Sequence, residues 1–351
     1  MIILLFTSGW EEKGKTIYVI DAKDFYNEVV SLEEVDKLLN IIDIRGITKK
    51  NGKISVIDVD TVLAKSRLLN NSKSTGKFDL SKTIYGIKIS NFKGRVNNVI
   101  MPDIVNFIDT DCFRFNFSIK TVKLPENLIE IGYTAFVSCT SLERVEFNKY
   151  LKFIDDGAFS GCFNLKDIEL PETVSEIGSM AFRGCSTLNS VIMKDSITKI
   201  SSSCFESCTE LKNVRLPSSL KVISASMFAY CKSLKRIDIP RGVEEIKFRA
   251  FNYSGLEELK IPDTVKTVGR AFVRCYNLKE VFIPSSVESI DKLCFQDCES
   301  LSEIIIEDNE PVYSKLVEAF KEGKINKSVG ITIRNMKGGV AINEFTSRTY
   351  D

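Results

Sequence analysis

From residue 113 onward one phenylalanine keeps returning: Phe113, Phe136, Phe159, Phe182, Phe205, Phe228, Phe251, Phe272 and Phe295. Every step is 23 residues except one of 21. Apolar residues recur around it in one order, L/V-x-x-I-x-x-x-A-F-x-x-C-x-x-L-x-x-V/I-x-L/I, often closed by proline. A fixed period of about 20–29 residues marks a solenoid, because one short unit cannot bury its apolar face without a neighbour. The tail of each unit alternates with period two, which predicts a strand. In the second copy Val145 and Phe147 are predicted to face inward, Arg144 and Glu146 outward. Pro125, Pro171, Pro217, Pro240, Pro262 and Pro284 follow the tails and lack a donor N–H, so they end the strands.

After each proline an apolar pair such as Val174 and Ile177 begins a return leg. Gly132, Gly178 and Gly269 then predict tight turns at positive φ. The Ala-Phe pair is expected on a short helical or irregular turn on the far side, with the ring filling the middle of the coil. The copies differ in places. Ser254 takes the cysteine slot, Leu256 arrives one residue early, and the stretch from Val268 to Phe272 is one residue short. A kink or tightened loop is expected there. Val96, Val99 and Met101-Pro102 keep the strand half of an earlier, degenerate copy, which places the solenoid over residues 81–306.

The copy running from Pro171 through Val174, Ile177-Gly178, Ala181-Phe182, Cys185 and Leu188 carries the whole Pro-x-x-Val/Leu-x-x-Ile-Gly-x-x-Ala-Phe-x-x-Cys-x-x-Leu sequence. This pattern resembles the leucine-rich repeats of the BspA-like family, over about residues 96–306. The resemblance implies an α/β repeat fold, a curved right-handed leucine-rich-repeat solenoid with a parallel β-sheet on its concave face. It also implies relatives that are often secreted or surface proteins binding host proteins or other cells. It supplies no shared catalytic residues.

The flanks do not follow the repeat. Residues 1–80 alternate β-like runs (2–6, 16–20 and 54–59) with helical patterns and read as a small α/β module. Ser31 with Glu34 forms a capping box for a helix to about Leu39, Asp60 caps a second through Leu69, and 70–76 reads as a loop. Such a module suits the N-terminal cap that a solenoid requires. Residues 307–351 read as a C-terminal cap and tail: a helix from Pro311 to about Glu322, a strand near 331–333, and a frayed end over 344–351.

Composition narrows the chemistry. Lys+Arg 48 against Asp+Glu 47 leaves a net charge of +1, so no global field steers the chain to nucleic acid or anionic lipid. Histidine is absent, which closes Ser-His-Asp, Cys-His and His-metal chemistry to a single chain. No stretch has the ~18–20 consecutive apolar residues that span a bilayer. The start, residues 1–6, has no basic region and no cleavage site, so a cytoplasmic chain is expected, with an extracellular or cell-surface form as the alternative.

Gly9 through Thr16, with Gly14 and Lys15, satisfies the phosphate-loop expression G-x-x-x-x-G-K-[ST]. Two physical features oppose a nucleotide site. The following residues 17–20 read as a strand where a phosphate loop opens a helix, and Glu11 and Glu12 would repel the ligand. A polar turn between hairpin strands is the expected structure.

The ten cysteines fall into repeat slots: Cys139, Cys162, Cys185, Cys208, Cys231, Cys275 and Cys298 in one, Cys112, Cys204 and Cys294 in the slot before Phe. Small, apolar, reduced thiols buried in the stack are expected, with no metal and no cofactor, and a disulfide between neighbouring coils, which are close enough for one, is the alternative.

Function is sought on the outward strand positions. One column runs Thr121, Arg144, Asp167, Ser190, Asn213, Arg236, Glu258, Glu280, Glu303; the next includes Ile192, Arg215, Asp238, Lys260, Phe282 and Ile305. Arg144, Ile192, Arg215, Arg236, Asp238, Lys260 and Phe282 are the candidate partner-binding residues, because exposed aromatic and Arg positions are typical interface anchors. The reading is a non-enzymatic module that binds another protein on the concave face. A surface or virion-borne adhesin is one alternative. A nucleotide-dependent switch or enzyme in residues 1–80, with the repeats as targeting arm, is the other. Nucleic acid ranks last, since the outward columns mix both charge signs.

Overall fold

The computed structural model describes residues 8–12, 15–21, 84–90, 97–101, 107–326, 329–334 and 342–343. The chain divides into two units, residues 1–162 and 163–351. Each is a parallel-strand β-solenoid, and the repeat is the reason. With one exception a period supplies a front strand of three to five residues, a turn that often carries proline, a two-residue return strand and a Phe-centred turn.

In the first unit the front strands Asn98–Ile100, Thr121–Lys123 and Arg144–Glu146 pair in parallel. Val99, Val122 and Val145 share one register position and are buried. Arg144 and Glu146 face outward as the alternation predicts, while Phe147 is half-buried with its edge against Phe159 at 6.2 Å. The degenerate copy therefore does contribute a strand. Return strands Phe107–Ile108, Glu130–Ile131 and Phe153–Ile154 form a second parallel sheet. Ile84–Ser90 joins it, and Lys15–Asp21 pairs in parallel with Ile84–Ser90, so the described part of the N-terminal module is an extension of the return sheet. The capping box at Ser31, the Asp60 cap, the loop 70–76 and the tail 344–351 lie outside the described residues.

In the second unit the front strands Asp167–Glu169, Ser190–Ile192 and Asn213–Arg215 form one parallel group. Glu258–Lys260, Glu280–Ile283 and Glu303–Glu307 form another. The strand expected at Arg236 and Asp238 is absent: residues 232–240 run past that position without pairing as a strand. Its inward residue Ile237 is only half-buried, as is Val214 before it. The shortened copy lies next to it. Gly255 donates its N–H to the Cys231 carbonyl at 3.0 Å, and a Cβ on Gly255 would lie 2.0 Å from the Lys232 oxygen. The loop is thus tightened as expected, while the core is not kinked: Phe251 and Phe272 stack at 5.3 Å, 3° from parallel.

The nine repeat phenylalanines are the largest fully buried side chains. Within the first unit the rings stack at 4.7 and 5.2 Å. Within the second they stack at 5.3–5.7 Å. Each ring contributes about 1.5–3 kcal/mol of burial. The ring sits on the irregular turn expected for the Ala-Phe pair, and that turn has a regular backbone alternation the sequence did not indicate. Residues two before and two after most of these phenylalanines have positive φ, among them Thr134, Ser138, Ser203, Ser207, Arg249 and Tyr253. This alternation points the N–H groups of these residues and of the Phe at the next coil. Thr134, Phe136 and Ser138 donate to Asp156, Ala158 and Ser160 at 2.7–2.9 Å.

The glycines after the return legs correct the expectation, for positive φ occurs at Gly157, Gly161, Gly184 and Gly323 and not at Gly132, Gly178 or Gly269. Gly132 is required by proximity: a Cβ would meet the Ile108 oxygen at 2.5 Å.

The strand-ending prolines do more than stop pairing. The carbonyls of Pro125, Pro171 and Pro262 accept from Leu128, Val174 and Val265, closing the turn into the return leg. At the C-terminal end the helix Glu310–Lys321 starts on Asn309, whose side chain accepts from the Val312 N–H and donates to Val287 O at 2.6 Å. Gly330–Arg334 pairs in parallel with Glu303–Glu307, confirming the expected strand.

Candidate functional site

The front sheet of the second unit carries a groove of about 590 Å³ across Glu258–Lys260, Glu280–Ile283 and Glu303–Glu307. Its apolar lining includes the outward-register residues Phe282 and Ile305. Phe282 is half-buried and Ile305 is buried, although the alternation assigns both to the outward face. The strand register lines up Lys260, Phe282 and Ile305 in one column and Glu258, Glu280 and Glu303 in the next. Neighbouring parallel strands lie about 4.8 Å apart. Three glutamates in register at that spacing repel one another and oppose sheet formation. Arg236 offsets part of this from outside the column, its Nε 2.7 Å from Glu258 Oε1.

Arg241, Asp263 and Pro284 from the turns, with Glu307 at the end of the last strand, complete the rim. Among the lining residues four carboxylates (Glu258, Asp263, Glu280, Glu307) face two cations (Arg241, Lys260). The groove is therefore acidic and partly apolar in its lining.

Of the residues chosen from sequence, the groove brings together Lys260 and Phe282. Arg236 is exposed and tied to Glu258, and Asp238 is exposed on the segment that forms no strand, which corrects the expected position of both on the sheet. Arg215 folds back on the preceding coil. Its Nη1 donates to the Met193 oxygen at 2.9 Å, and its Nη2 lies 3.4 Å from Asp195. The Ser218 backbone N–H holds the Asp195 carboxyl below its ordinary range, with Arg215 adding to this. Ile192 is half-buried beside Glu169, whose carboxyl is lowered by its 2.8 Å hydrogen bond from Lys194. Arg144 belongs to the first unit, where it pairs with Glu146 at 3.2 Å. The two columns did not include Arg241, Asp263 and Glu307, because each lies two or more residues past the last column position of its copy.

The phosphate-loop match is a hairpin in the structure. Ser8–Glu12 and Lys15–Asp21 are antiparallel with Glu12 opposite Lys15, so Lys15 and Thr16 begin a strand. All ten cysteines are buried free thiols. Six of those in the main slot donate to the carbonyl of the preceding repeat phenylalanine, as Cys139 does to Phe113 at 3.1 Å and Cys231 to Phe205 at 3.2 Å. Among the described residues no helix is long and apolar enough to cross a membrane.

A family model described as BspA type leucine rich repeat region, in six copies, matches residues 65–172, 152–271 and 256–334. Among solved structures, a leucine-rich repeat protein from Bacteroides ovatus is 24% identical with a TM-score of 0.48. The match covers 66% of this chain and 65% of that protein, so the chain spans less than two thirds of its length. A T. pallidum leucine-rich repeat protein is 30% identical over 54% of this chain and 82% of its own, TM-score 0.43. The pneumococcal vaccine antigen PcpA is 16% identical over 94% of this chain and 99% of its own, TM-score 0.37. No curated protein matches.

Proposed function

This chain belongs to the BspA-type leucine-rich repeat family, and from that premise we propose that it is a non-enzymatic binding protein whose front sheet grips another protein. The observation that carries the reading is the groove at Glu258–Lys260, Glu280–Ile283 and Glu303–Glu307. Its lining glutamates Glu258 and Glu280 stand in register on neighbouring strands, and beside them an aromatic ring is left partly open. A partner that places a lysine or arginine against the glutamates and an apolar side chain on Phe282 relieves the repulsion and covers the ring. The partner is therefore a protein segment with basic residues flanking an apolar one. Each coil is held by its neighbours, so the groove is ordered before binding and loses little entropy on association.

Peptides selected from a random library displayed on phage, with the full-length protein as bait, test this. Enriched peptides should carry Lys or Arg next to an apolar residue. Their affinity should fall at least tenfold for Phe282→Ala and for Glu280→Lys, with the circular dichroism spectrum unchanged. Selected peptides that bind both variants as well as the parent would refute the groove.

A further inference from the structure

The turn side of the second unit has a charge pattern its neighbours lack. Three successive turns, 224–233, 247–255 and 269–277, contain Lys232, Lys247, Arg249, Arg270 and Arg274 and no carboxylate. The turns on either side carry Glu206 and Glu210, and Asp291, Asp297 and Glu299. Lys247 and Arg274 are in exposed ion pairs with Glu245 and Asp297. Among the described residues Lys232, Arg249 and Arg270 have no carboxylate within ion-pair distance.

Aromatic rings are set between these cations. Tyr230, Phe248 and Tyr276 are each 40–47% exposed. Tyr230 stacks on Tyr253 at 4.7 Å, and the Arg274 guanidinium covers Tyr253 at 5.3 Å and bonds its hydroxyl. Tyr276 meets Tyr253 edge-on at 6.0 Å, and Arg249 lies over Phe248 at 4.9 Å. Tyr230 and Tyr253 occupy the slot two after Phe, which holds Gly184 and Ser207 in the two preceding copies and which has positive φ. A bulky aromatic there is backbone-strained, and packing in the coil does not need it.

The chemistry suits an oxygen-rich anion. The stacked faces are used against each other and against the guanidinium, leaving little room for a nucleic-acid base to stack, which is the usual source of single-strand affinity. Ring edges, the Tyr230 and Tyr276 hydroxyls, and guanidinium N–H groups beyond those bonded to Tyr253, Asp297 and Gln296 remain, and ring edges carry the positive end of the aromatic quadrupole. With coils about 4.8 Å apart, the cations recur over roughly 10 Å, so one polymer carrying repeated acidic groups can engage several of them. We propose that this turn-side patch is a second binding surface, for an acidic polysaccharide whose sulfate or carboxylate groups are held by Lys232, Arg249, Arg270 and Arg274. It uses none of the groove residues and stands independently of the protein-binding reading.

The test titrates the full-length protein at 0.15 M salt with a sulfated heparin hexasaccharide, a neutral dextran fragment and a single-stranded oligonucleotide. The hexasaccharide should bind, the dextran should not, and the oligonucleotide should bind more weakly. The double variant Lys232→Gln/Arg249→Gln, which removes no ion pair, should weaken hexasaccharide binding at least tenfold with an unchanged melting temperature. The control Lys212→Gln/Lys315→Gln removes the same charge from exposed positions elsewhere in the unit and should stay within twofold. Equal losses in both variants would reduce the effect to net charge and overturn the site. So would absence of hexasaccharide binding. Tighter, patch-dependent binding of the oligonucleotide would replace the polysaccharide with nucleic acid.

Discussion

A thiol in the repeat slot has one demanding job: to donate a hydrogen bond to a carbonyl in the preceding coil while buried. Burial pushes the Cys139 and Cys294 thiols up to about 12 and raises Cys231 and Cys208 as well. The unfolded chain releases these protons near pH 8.5, whereas the folded chain keeps them. The native state thus binds more protons than the unfolded state above that pH, and stability falls as pH rises. The contribution is whole below about pH 8.5 and is lost progressively toward pH 12. Urea unfolding with reductant present should show a lower midpoint at pH 9.5 than at pH 7. The drop should shrink in Cys139→Ser/Cys231→Ser. Serine is a fair substitute, because Ser254 already occupies the slot, 3.4 Å from Cys275 Sγ. A midpoint that does not change between the two pH values would contradict the argument.

The unit of construction is the turn, and turns are where close backbone approaches limit the sequence. Gly255 is the sharpest case, since its missing Cβ would penetrate the Lys232 carbonyl at 2.0 Å. The obstacle is backbone, so relief requires moving a coil that also carries the Cys231 carbonyl bonded to Gly255 N–H. Gly255→Ala should lower stability by about 1–3 kcal/mol in chemical denaturation. Gly330→Ala, whose added carbon would sit 3.5 Å from the Ser302 oxygen, should stay within about 0.5 kcal/mol. Tightening at Gly255 coincides with the loss of the front strand at Arg236 and Asp238. Alternation alone predicted that strand, because Ile237 and Ile239 keep the period-two pattern. Pairing needs both neighbours in register, and that depends on loop length in the adjacent copy.

For the whole chain, each coil is stabilised only by the coils on either side, so the period itself is the unit of insertion and deletion. Removing residues 184–206 takes out one 23-residue period and joins the turn after Phe182 to the turn after Phe205 in the same register. That variant should unfold sharply in urea, at a lower midpoint. Removing residues 184–195 takes out the front strand Ser190–Ile192 and joins the Phe182 turn directly to the segment before the return strand Lys199–Ile200, and should give a broad or absent transition by circular dichroism. A half-period deletion that unfolds as sharply as the full-period one would mean that the coils are not the cooperative element. The groove and the basic turn patch fit this logic, because stacking is indifferent to outward residues and leaves them free to carry binding chemistry.

Much was readable in the chain because the repeat is written in core residues. The Phe column, the inward strand valines and isoleucines, the proline turns and the buried cysteine slots all follow from period and residue size. Each such residue must meet its own copy in the next coil. Other features depend on distances that no periodicity encodes. Gly132 is glycine because the Ile108 carbonyl lies 2.5 Å from where its Cβ would be, not because of its φ. Thr134 and Ser203 adopt positive φ because inter-coil hydrogen bonds demand it, against the preference of their own side chains. The groove joins Lys260 and Phe282 to Arg241, Asp263 and Glu307 because loops of successive coils converge there. That convergence depends on how far each loop reaches from its strand, a property of the folded backbone and not of residue spacing.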